Sequence, residues 1–288
     1  MTLSRIPVLS RVGHDRAAER RTDEAWLAAA WERGLALVVT PEYTTAVVEQ
    51  AAGAALALRP CSSLPAGAER YFLGLAGDDP VFAARGPRDL AGDRWVDLRE
   101  IGAVLDDRDA GLLTTGVALA RWHDRHPRCP IDGTPTALVN GGWVRRCPTD
   151  GSEHFPRTDP AVIMLVHDGG DRCVLGRQAV WPEGRFSILA GFVEPGESAE
   201  AAVAREVDEE VGLPITDITY AGSQPWPFPS SLMLGFTARA TGSELNLRDG
   251  ELAEARWLTR DEVRAGVVRL PPPVSIAHRI ITDWVAQG

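Results

Sequence analysis

Apolar and polar positions alternate most regularly in the C-terminal half of the chain, where they predict a mixture of strands and helices. Strands are predicted at the apolar runs 161–167, 173–175, 186–190, 218–221, 232–240 and 255–258. Helices are predicted from a Ser198 cap to about Val211, around 261–265 after a Thr259 cap, and over 276–285. Strands and helices mixed in this way are typical of a layered α/β domain.

The first 125 residues carry a weaker pattern, which predicts a β-rich mixed domain with two helices. One helix is predicted at Thr22–Arg33, with Thr22 as its N-cap and Gly34 as its stop, and the other at Asp107–Arg125. Short apolar stretches between Gly, Pro and Asp predict strands at 37–39, 71–75 and 95–98. We expect three parts: an N-terminal domain at 1–125, a short segment at 126–157 and a C-terminal domain at 158–288.

The middle segment contains a repeated motif. Cys-Pro-Ile-Asp-Gly at 129–133 is echoed by Cys-Pro-Thr-Asp-Gly at 147–151, and Asp-Gly is a strong signal for a tight turn. Short apolar strands are predicted between the copies, at 138–139 and 143–144. The pattern indicates two knuckle turns on a short β-ribbon.

Composition and charge exclude several classes of protein. The chain has 288 residues and a formal net charge of −10, and every basic residue is arginine. No apolar run reaches the ~18 residues that a membrane span needs, and residues 1–15 lack a signal-peptide core. Four cysteines do not make a disulfide framework, so we expect a cytoplasmic protein. The acidic balance disfavours a protein that holds nucleic acid through a general basic surface.

The segment Gly191–Leu213 carries the clearest chemistry. On a helix, Glu206, Glu209 and Glu210 project toward one side. Clustered carboxylates of this kind suit a hard divalent cation such as magnesium, which can bridge to phosphate oxygens. Arg205 and Glu197 are placed to form an ion pair, and the apolar residues of the helix are placed to face the sheet: Ala202, Val203 and Val207. The alternative interpretation is a solvated charged helix.

The same segment resembles the Nudix box at every defined position. A glycine is followed after five residues by glutamate, and after seven more by Arg-Glu, an apolar residue, Glu-Glu, one residue and Gly-apolar. The resemblance implies a Nudix hydrolase with a C-terminal α/β/α sandwich, which uses Mg²⁺ or Mn²⁺ to cleave nucleoside diphosphate derivatives. It also implies catalytic and metal-binding roles for Glu206, Glu209 and Glu210, and a metal contact from the backbone carbonyl of Ala190.

A proline-rich motif follows the box. Its alternate prolines exclude a central strand, and they predict a stiff loop that presents two aromatic rings. The motif resembles Gln-Pro-Trp-Pro-Phe-Pro-x-Ser of the NADH pyrophosphatase family, and its eight residues are Gln224, Pro225, Trp226, Pro227, Phe228, Pro229, Ser230 and Ser231. The resemblance implies substrate binding by these residues, hydrolysis of NADH or NAD to AMP and nicotinamide mononucleotide, removal of NAD caps from RNA 5′ ends, and a homodimer.

Further positions match the family one by one. Glu251 corresponds to a metal-binding glutamate, and Glu254 is a weaker candidate. Phe155 and Phe192 match positions that stack on the adenine ring, although the family often has tyrosine at the first; either phenylalanine could instead be a core residue. Two more correspondences are a backbone contact to substrate at Ala277 and a substrate-side arginine at Arg99. The N-terminal half aligns poorly with the family, so we expect Arg99 to be a plain surface arginine, with the substrate role as the alternative.

The knuckles depart from the family pattern. The family has two Cys-x-x-Cys pairs that hold zinc, whereas this chain has Cys129 with Asp132 and Cys147 with Asp150. Two thiolates and two carboxylates are an uncommon set for structural zinc. We therefore expect turns that hold by Asp-Gly geometry and packing without metal, with a degenerate zinc site as the alternative.

Three other functions stay open at this point. The box alone also fits a hydrolase of nucleotide sugars or dinucleoside polyphosphates. RNA decapping rather than NADH turnover could be the main reaction. A catalytically silent nucleotide sensor is a different class of protein, although a sensor has no need for all three box glutamates.

Overall fold

The computed structural model describes residues 6–51, 53–88, 94–248 and 250–287. Within these residues the chain divides into two compact units. The C-terminal unit comprises 6–10, 159–226 and 231–287, and the N-terminal unit comprises 11–158 and 227–230. The ribbon segment lies within the N-terminal unit, and the three-part division stays a prediction.

Among the residues that the structure describes, the N-terminal unit holds three small sheets and three α-helices. One sheet has the strand order β4-β1-β6-β5, with β1 and β6 parallel; a second has the order β3-β2-β7, and the ribbon has the order β10-β9-β8. In chain order the elements are α1 (Glu24–Arg33), β1 (Leu35–Val39), β2 (Thr44–Gln50), β3 (Gly53–Leu56), β4 (Arg59–Pro60), β5 (Arg70–Ala76), β6 (Asp79–Arg85), β7 (Arg94–Asp97), α2 (Leu98–Ile101), α3 (Asp107–Arg125), β8 (Ala137–Val139), β9 (Val144–Arg146) and β10 (Glu153–His154).

Helix capping explains where the helices of this unit begin. Helix α3 covers the predicted residues, and the Asp106 side chain accepts a hydrogen bond from the backbone N–H of Asp109 at its start. The predicted Thr22 cap of α1 was wrong. Asp23 caps that helix instead, by accepting a hydrogen bond from the Trp26 N–H at 2.9 Å.

The C-terminal unit is built around one six-stranded mixed sheet. The strand order is β14-β15-β11-β12-β16, and β13 pairs with β11 beside this path. Strands β11 and β15 are parallel, and β14 is an edge strand because it stands at the end of the strand order. The elements are β11 (Asp159–His167), β12 (Arg172–Gln178), β13 (Leu189–Phe192), α4 (Ala199–Val211), β14 (Ile215–Trp226), β15 (Ser231–Ala240), β16 (Leu252–Thr259), α5 (Arg260–Arg264) and α6 (Ile276–Ala286).

Alternating side chains of β11 separate two apolar cores, one on each face of this sheet. Val162, Met164 and Val166 pack with α4, whereas Ile163 and Leu165 pack with α6. The expectation that Ala202, Val203 and Val207 face the sheet is confirmed, because all three are fully buried in the first core. Helices on both faces make this unit an α/β/α sandwich, which confirms the predicted fold class of a β-rich N-terminal part, a ribbon and a layered C-terminal part.

Two local predictions differ from the structure. The strand predicted at 186–190 begins later, at Leu189, because Ser187 makes only an isolated bridge to Gly176 of β12 and the Phe186 N–H donates to the Arg269 carbonyl instead. The proline motif is not a loop throughout, since Gln224, Pro225 and Trp226 end strand β14. An edge strand tolerates proline, which lacks the N–H of a ladder hydrogen bond. In the part of the chain that is described, no helix is long and apolar enough to span a membrane.

Candidate active site

Helix α4 places two glutamates on its buried face. The Ser198 Oγ accepts the N–H of Ala201 at 3.1 Å at the start of the helix, and Gly212 ends it with a φ of +67°. Glu206 and Glu210 lie one turn apart and are only 9% and 2% exposed. Buried carboxylates are costly unless a cation or hydrogen bonds compensate them, so this face of α4 is the candidate site.

Gly191 explains why the box begins with glycine. A Cβ at this position would lie 1.8 Å from the Cδ of Glu206 and about 2 Å from both carboxylate oxygens. The Glu206 carboxylate therefore lies directly against the backbone of β13, next to Ala190. Only a residue without a side chain allows this approach.

Arg205 ties the acidic residues and the preceding loop together. Its Nε and Nη2 donate to both oxygens of Glu197 at 2.9 and 3.0 Å, which confirms the predicted ion pair. Its Nη1 donates to Glu206 and to Glu209, each at 2.8 Å, and Nη2 also donates to the Phe192 carbonyl at 2.9 Å. One planar guanidinium thus fixes the loop and two box glutamates in a single arrangement.

The electrostatics of the cluster favour a bound cation. Burial raises the pKa of Glu206, the neighbouring charges of Glu209 and Glu251 raise it further, and Arg205 opposes this shift. Arg205 lowers the pKa of Glu197, which lies on the outer side of the cluster. Carboxylate oxygens held together against their mutual repulsion are a donor set that fits a hard divalent metal ion.

Two further expected metal ligands lie in the same unit. Ala190 is on β13, opposite Ile163 of β11, and its neighbour Gly191 touches Glu206. Glu251 directly precedes β16, and its charge acts on Glu206. Glu254 differs, because its carboxylate forms ion pairs with Arg177 and Arg256. We therefore leave Glu254 out of the ligand set that we propose below.

Gln224, the first residue of the proline motif, presents a buried acceptor. It is completely buried, and its Nε2 donates to the Val274 carbonyl at 2.9 Å. Its Oε1 accepts no hydrogen bond from the residues that the structure describes. A buried amide oxygen in this state is suited to accept an N–H from a ligand. Ala277 lies three residues after Val274, and its backbone N–H donates to Ser275 Oγ at 3.2 Å.

The middle of the motif belongs to the N-terminal unit, where two arginines hold its aromatic ring. The guanidinium of Arg99 lies 3.9 Å from the Phe228 ring centroid, and that of Arg121 lies 5.5 Å from it. Arg121 also lies 3.9 Å from the ring centroid of Tyr43. Arg99 is an exposed residue that also stacks on Phe228, and a substrate-side role for it stays a prediction. Sequence reasoning missed Arg121, because nothing local links it to a motif more than a hundred residues away.

Comparisons with known proteins agree with this geometry. Three domain families match in order: an NADH pyrophosphatase-like rudimentary NUDIX domain at residues 25–122, an NADH pyrophosphatase zinc ribbon domain at 124–155 and a NUDIX domain at 157–285. A Mycobacterium bovis protein named NAD-capped RNA hydrolase NudC is 45% identical, and the match covers 99% of this chain and 96% of that protein. The chain belongs to the NADH pyrophosphatase family of Nudix hydrolases.

Other relatives extend this result. The NudC protein of Mycobacterium tuberculosis H37Rv is also 45% identical, over the same shares of both chains. The human NAD-capped RNA hydrolase NUDT12 is 40% identical over 63% of this chain and 43% of its own length. The protein is thus an enzyme of the Nudix class, and the matched NUDIX domain contains the carboxylate cluster.

The two phenylalanines expected to stack on substrate in this NADH pyrophosphatase are both exposed. Phe155 is 64% exposed and Phe192 is 59% exposed. The alternative that either is a core residue is therefore wrong for the chain as described. Exposed aromatic rings are accessible to a planar ligand, so stacking stays the prediction for both.

Three of the four ribbon residues converge as zinc ligands do, and the fourth, Asp132, lies beside one of them. The ligand atoms of Cys129, Cys147 and Asp150 all lie within 4.8 Å of one another, and the oxygens of Asp132 lie 3.8 and 3.9 Å from the Cys147 sulfur. Two thiols and two carboxylates at this spacing are compatible with tetrahedral zinc. The expectation that the two turns hold without metal is therefore contrary to this geometry and to the match with a zinc ribbon domain.

The nearby histidines take other partners. His126 Nδ1 bonds to the Trp122 carbonyl, and His154 Nε2 bonds to Ser152. Ser152 in turn donates to Asp150 at 2.7 Å. The ribbon turns therefore offer the two cysteines and two aspartates as the first ligands for a metal.

Proposed function

We propose that this enzyme hydrolyses the pyrophosphate of NADH and NAD to AMP and nicotinamide mononucleotide, and that it removes NAD caps from RNA 5′ ends. The observation that carries the proposal is the buried carboxylate pair of α4, Glu206 and Glu210, of which Glu206 lies against Gly191 and accepts a hydrogen bond from Arg205. The names of the mycobacterial and human relatives, together with the complete proline motif, support this substrate class.

We propose that Ala190, through its carbonyl, and Glu206, Glu209, Glu210 and Glu251 hold Mg²⁺ or Mn²⁺. When bound, the metal supplies charge neutralisation at the phosphates and a more acidic water. Arg205 keeps Glu206 and Glu209 oriented before substrate arrives, so that little reorganisation accompanies the reaction.

Other residues of the chain are proposed to bind and orient the substrate. The Gln224 Oε1 accepts an amide or amino N–H of the dinucleotide, since it is buried without another donor among the described residues. Phe155 and Phe192 stack on planar rings, and the rest of the motif with the backbone of Ala277 completes substrate contact: Pro225, Trp226, Pro227, Phe228, Pro229, Ser230 and Ser231. Arg99 and Arg121 keep the Phe228 ring in place.

We also propose that Cys129, Asp132, Cys147 and Asp150 bind structural zinc. The convergence of the ligand atoms of Cys129, Cys147 and Asp150, with Asp132 beside the Cys147 sulfur, supports this. Metal analysis of the purified protein should find about one zinc per chain, and chelation should lower the Tm because a structural site stabilises only the folded state. A protein without zinc, whose Tm does not respond to added zinc, would contradict this part of the proposal.

Two expectations about the whole protein remain proposals. The family resemblance implies a homodimer, which light scattering of the purified protein would test. The cytoplasmic location stays a prediction.

Product analysis tests the proposed reaction. NADH incubated with the protein and magnesium should yield AMP and the reduced mononucleotide in equal amounts, and NAD-capped RNA should yield a 5′-monophosphate end. A parallel panel of nucleotide sugars and dinucleoside polyphosphates should be turned over more slowly. Faster cleavage of that panel would favour the rival Nudix activities, and NADH binding without any AMP would favour the sensor.

A further inference from the structure

Helix α3 of the N-terminal unit carries a guanidinium that lacks an oxygen acceptor among the described residues. The side chain of Arg121 is partly buried, and its buried Nε forms no hydrogen bond there. The guanidinium instead lies over two rings, 3.9 Å from the Tyr43 centroid and 5.5 Å from the Phe228 centroid. A ring face attracts a cation but supplies no oxygen, so these contacts leave N–H donors for another partner.

Two more arginines bring positive charge close to Arg121. Arg125 is exposed and lies one turn later on α3, on the same side of the helix, and Arg99 lies 3.9 Å from the Phe228 ring centroid. Burial lowers the pKa of Arg121, and the charges of Arg99 and Arg125 lower it further. We call Arg99, Arg121 and Arg125 the arginine cluster.

The acidic residues near the arginine cluster do not balance its charge. Asp124 is paired with Arg85 at 2.9 Å. Asp97 is a second acid whose charge acts on Arg121, and its side chain also caps helix α2. With Arg85 included, four arginines face two aspartates, which leaves two positive charges in a protein whose net charge is −10. An excess of this kind favours an anionic ligand.

The backbone at Tyr43 keeps the aromatic ring against Arg121. Tyr43 has a φ of +61°, in the left-handed region that bulky residues rarely adopt. It stands in the turn between β1 and β2, where its N–H donates to the Thr40 carbonyl at 2.9 Å. Strained residues of this kind cluster at active sites and ligand clamps. The strained turn therefore supports a binding role for the arginine that Tyr43 holds.

A phosphate monoester is the group that fits the charge of the arginine cluster. Guanidinium groups bind phosphate oxygens through paired N–H donors. A monoester carries a charge of about −1.5 to −2 at pH 7, which matches the excess of two positive charges. A phosphodiester carries one negative charge and would leave part of the excess without a counter-ion.

The arginine cluster adjoins the proline motif. Phe228, whose ring lies beside both Arg99 and Arg121, belongs to the motif that we propose to contact the dinucleotide. The pyrophosphate of that substrate has its own counter-ion in the metal proposed at α4. A phosphate at the arginine cluster is therefore an additional group of the substrate, and the hydroxyls that can carry it are those of the riboses.

We infer that the arginine cluster is a binding site for a phosphate monoester on a ribose of the dinucleotide substrate. The site favours a phosphorylated dinucleotide, of which NADPH is the available probe, over the same molecule without that phosphate. The inference rests on the proposed function, and it gives the N-terminal unit a part in substrate selectivity.

The test measures kcat/KM for NADPH divided by kcat/KM for NADH. This ratio should fall about 10-fold in Arg121→Gln and in Arg125→Gln, the size of one lost hydrogen bond to a charged group. In Arg125→Gln the rate on NADH itself should stay at the wild-type level, because the changed side chain is exposed and lies outside the motif.

A pair of inhibitors tests the same site without turnover of NADPH. Adenosine 2′,5′-bisphosphate and AMP differ only in the ribose phosphate, so the bisphosphate should inhibit NADH hydrolysis more strongly than AMP in the wild type. Arg125→Gln should abolish this difference. Equal weakening of both inhibitors would contradict the inference, because the cluster would then bind the 5′-phosphate that they share.

Arg70→Gln is the matched control. Arg70 lies in the same unit, and its guanidinium lies 4.5 Å from the Trp31 ring centroid. This variant should keep the wild-type ratio and the wild-type difference between the inhibitors.

Three results would overturn the inference and leave the proposed function standing. They are a wild-type enzyme that hydrolyses NADH but not NADPH, an unchanged ratio in folded Arg121→Gln and Arg125→Gln, and a loss on NAD-capped RNA without a change in the ratio. The last result would assign the arginine cluster to a diester of the RNA chain. A wild-type protein that cleaves neither NADH nor NAD-capped RNA would instead refute the proposed function.

Discussion

Helices α3 and α4 both bury polar side chains, but they satisfy them in different ways. On α3, the buried polar groups bond to the protein itself: Thr114 and Thr115 donate to carbonyls one turn back, Asp109 accepts the Leu56 N–H, and His123 bonds to the Gly142 carbonyl. This helix belongs to the part matched by a rudimentary NUDIX domain. Its polar burial is structural.

On α4 the buried polar groups are carboxylates that converge. Glu206 and Glu210 are buried on one face, and Glu209 and Glu251 add to the negative charge near Glu206. Arg205 is the cation that binds Glu206 and Glu209. The comparison indicates that buried polar groups mark a reaction centre only where they leave excess charge for a ligand to neutralise.

Adding one methyl group to each region should separate the two roles most strongly. Gly191→Ala places a Cβ 1.8 Å from the Glu206 carboxyl carbon and should displace that side chain. We expect a fall in kcat of about 10²- to 10³-fold, the size seen when one preorganised group that stabilises the transition state is lost. Gly116→Ala on α3 meets Ala83 at 3.2 Å, so it should change stability by about 1 kcal/mol in either direction and leave kcat unchanged.

Steady-state rates on NADH and thermal unfolding of both variants provide this test. An active Gly191→Ala enzyme would show that Glu206 does not need its place against β13. A Gly116→Ala variant that unfolds at the wild-type temperature but no longer hydrolyses NADH would show that α3 contributes to the reaction.

The stability of the protein should depend on pH through His123 of helix α3, which lies outside the carboxylate cluster. Burial lowers the pKa of His123 to about 4, and its ring stacks on Tyr71 while Arg145 donates to its Nδ1. Because the unfolded state binds the proton more readily, this contribution to stability is complete above about pH 6.5 and is lost as pH falls toward 4. The full effect is roughly 3 kcal/mol.

The Tm of the wild-type protein should therefore fall between pH 7 and pH 5. His123→Gln should start from a lower Tm at pH 7 and fall less over the same range. Parallel curves for the two proteins would contradict the assignment of this pH dependence to His123.

A change at Arg205, which binds three glutamates of the acidic cluster, should lower turnover less than Gly191→Ala does. Arg205→Lys keeps the charge but loses the fork that binds Glu197, Glu206 and Glu209 together. We expect kcat to fall by about 10- to 100-fold, as for other groups that orient metal ligands. Arg248→Lys is the control, because Arg248 makes one exposed ion pair with Asp208 of the same helix. Equal activity of both variants would mean that charge alone suffices at position 205.

Local signals in the sequence predicted helix α4 closely. Ser198 and Gly212 mark its ends with side-chain and backbone preferences that act within one turn. The Arg205–Glu197 pair was also predictable from spacing. The requirement for glycine at position 191 was not predictable from the sequence, because its contact with Glu206 depends on how β13 packs against α4.

Contacts between distant segments were the least predictable. The stacking of Arg99 and Arg121 on Phe228 joins residues far apart in the chain, and no periodicity reports it. We predicted a loop at Trp226, whereas the structure places it at the end of strand β14. Proline is compatible with a loop and with an edge strand, so the prolines of the motif do not distinguish the two. The prediction that the ribbon lacks zinc depended on its unusual set of residues. Whether zinc fits depends on the distances between the ligand atoms, which the sequence does not give.

The most direct test of the central claim compares two glutamines on α4. Glu210→Gln removes a buried charge from the cluster, and Glu200→Gln makes the same chemical change at an exposed position in the first turn. With NADH and magnesium, chromatography should show AMP release reduced by at least ~10²-fold in Glu210→Gln and unchanged in Glu200→Gln. Full AMP release by Glu210→Gln would contradict the claim that the buried carboxylates of α4 form the reaction centre.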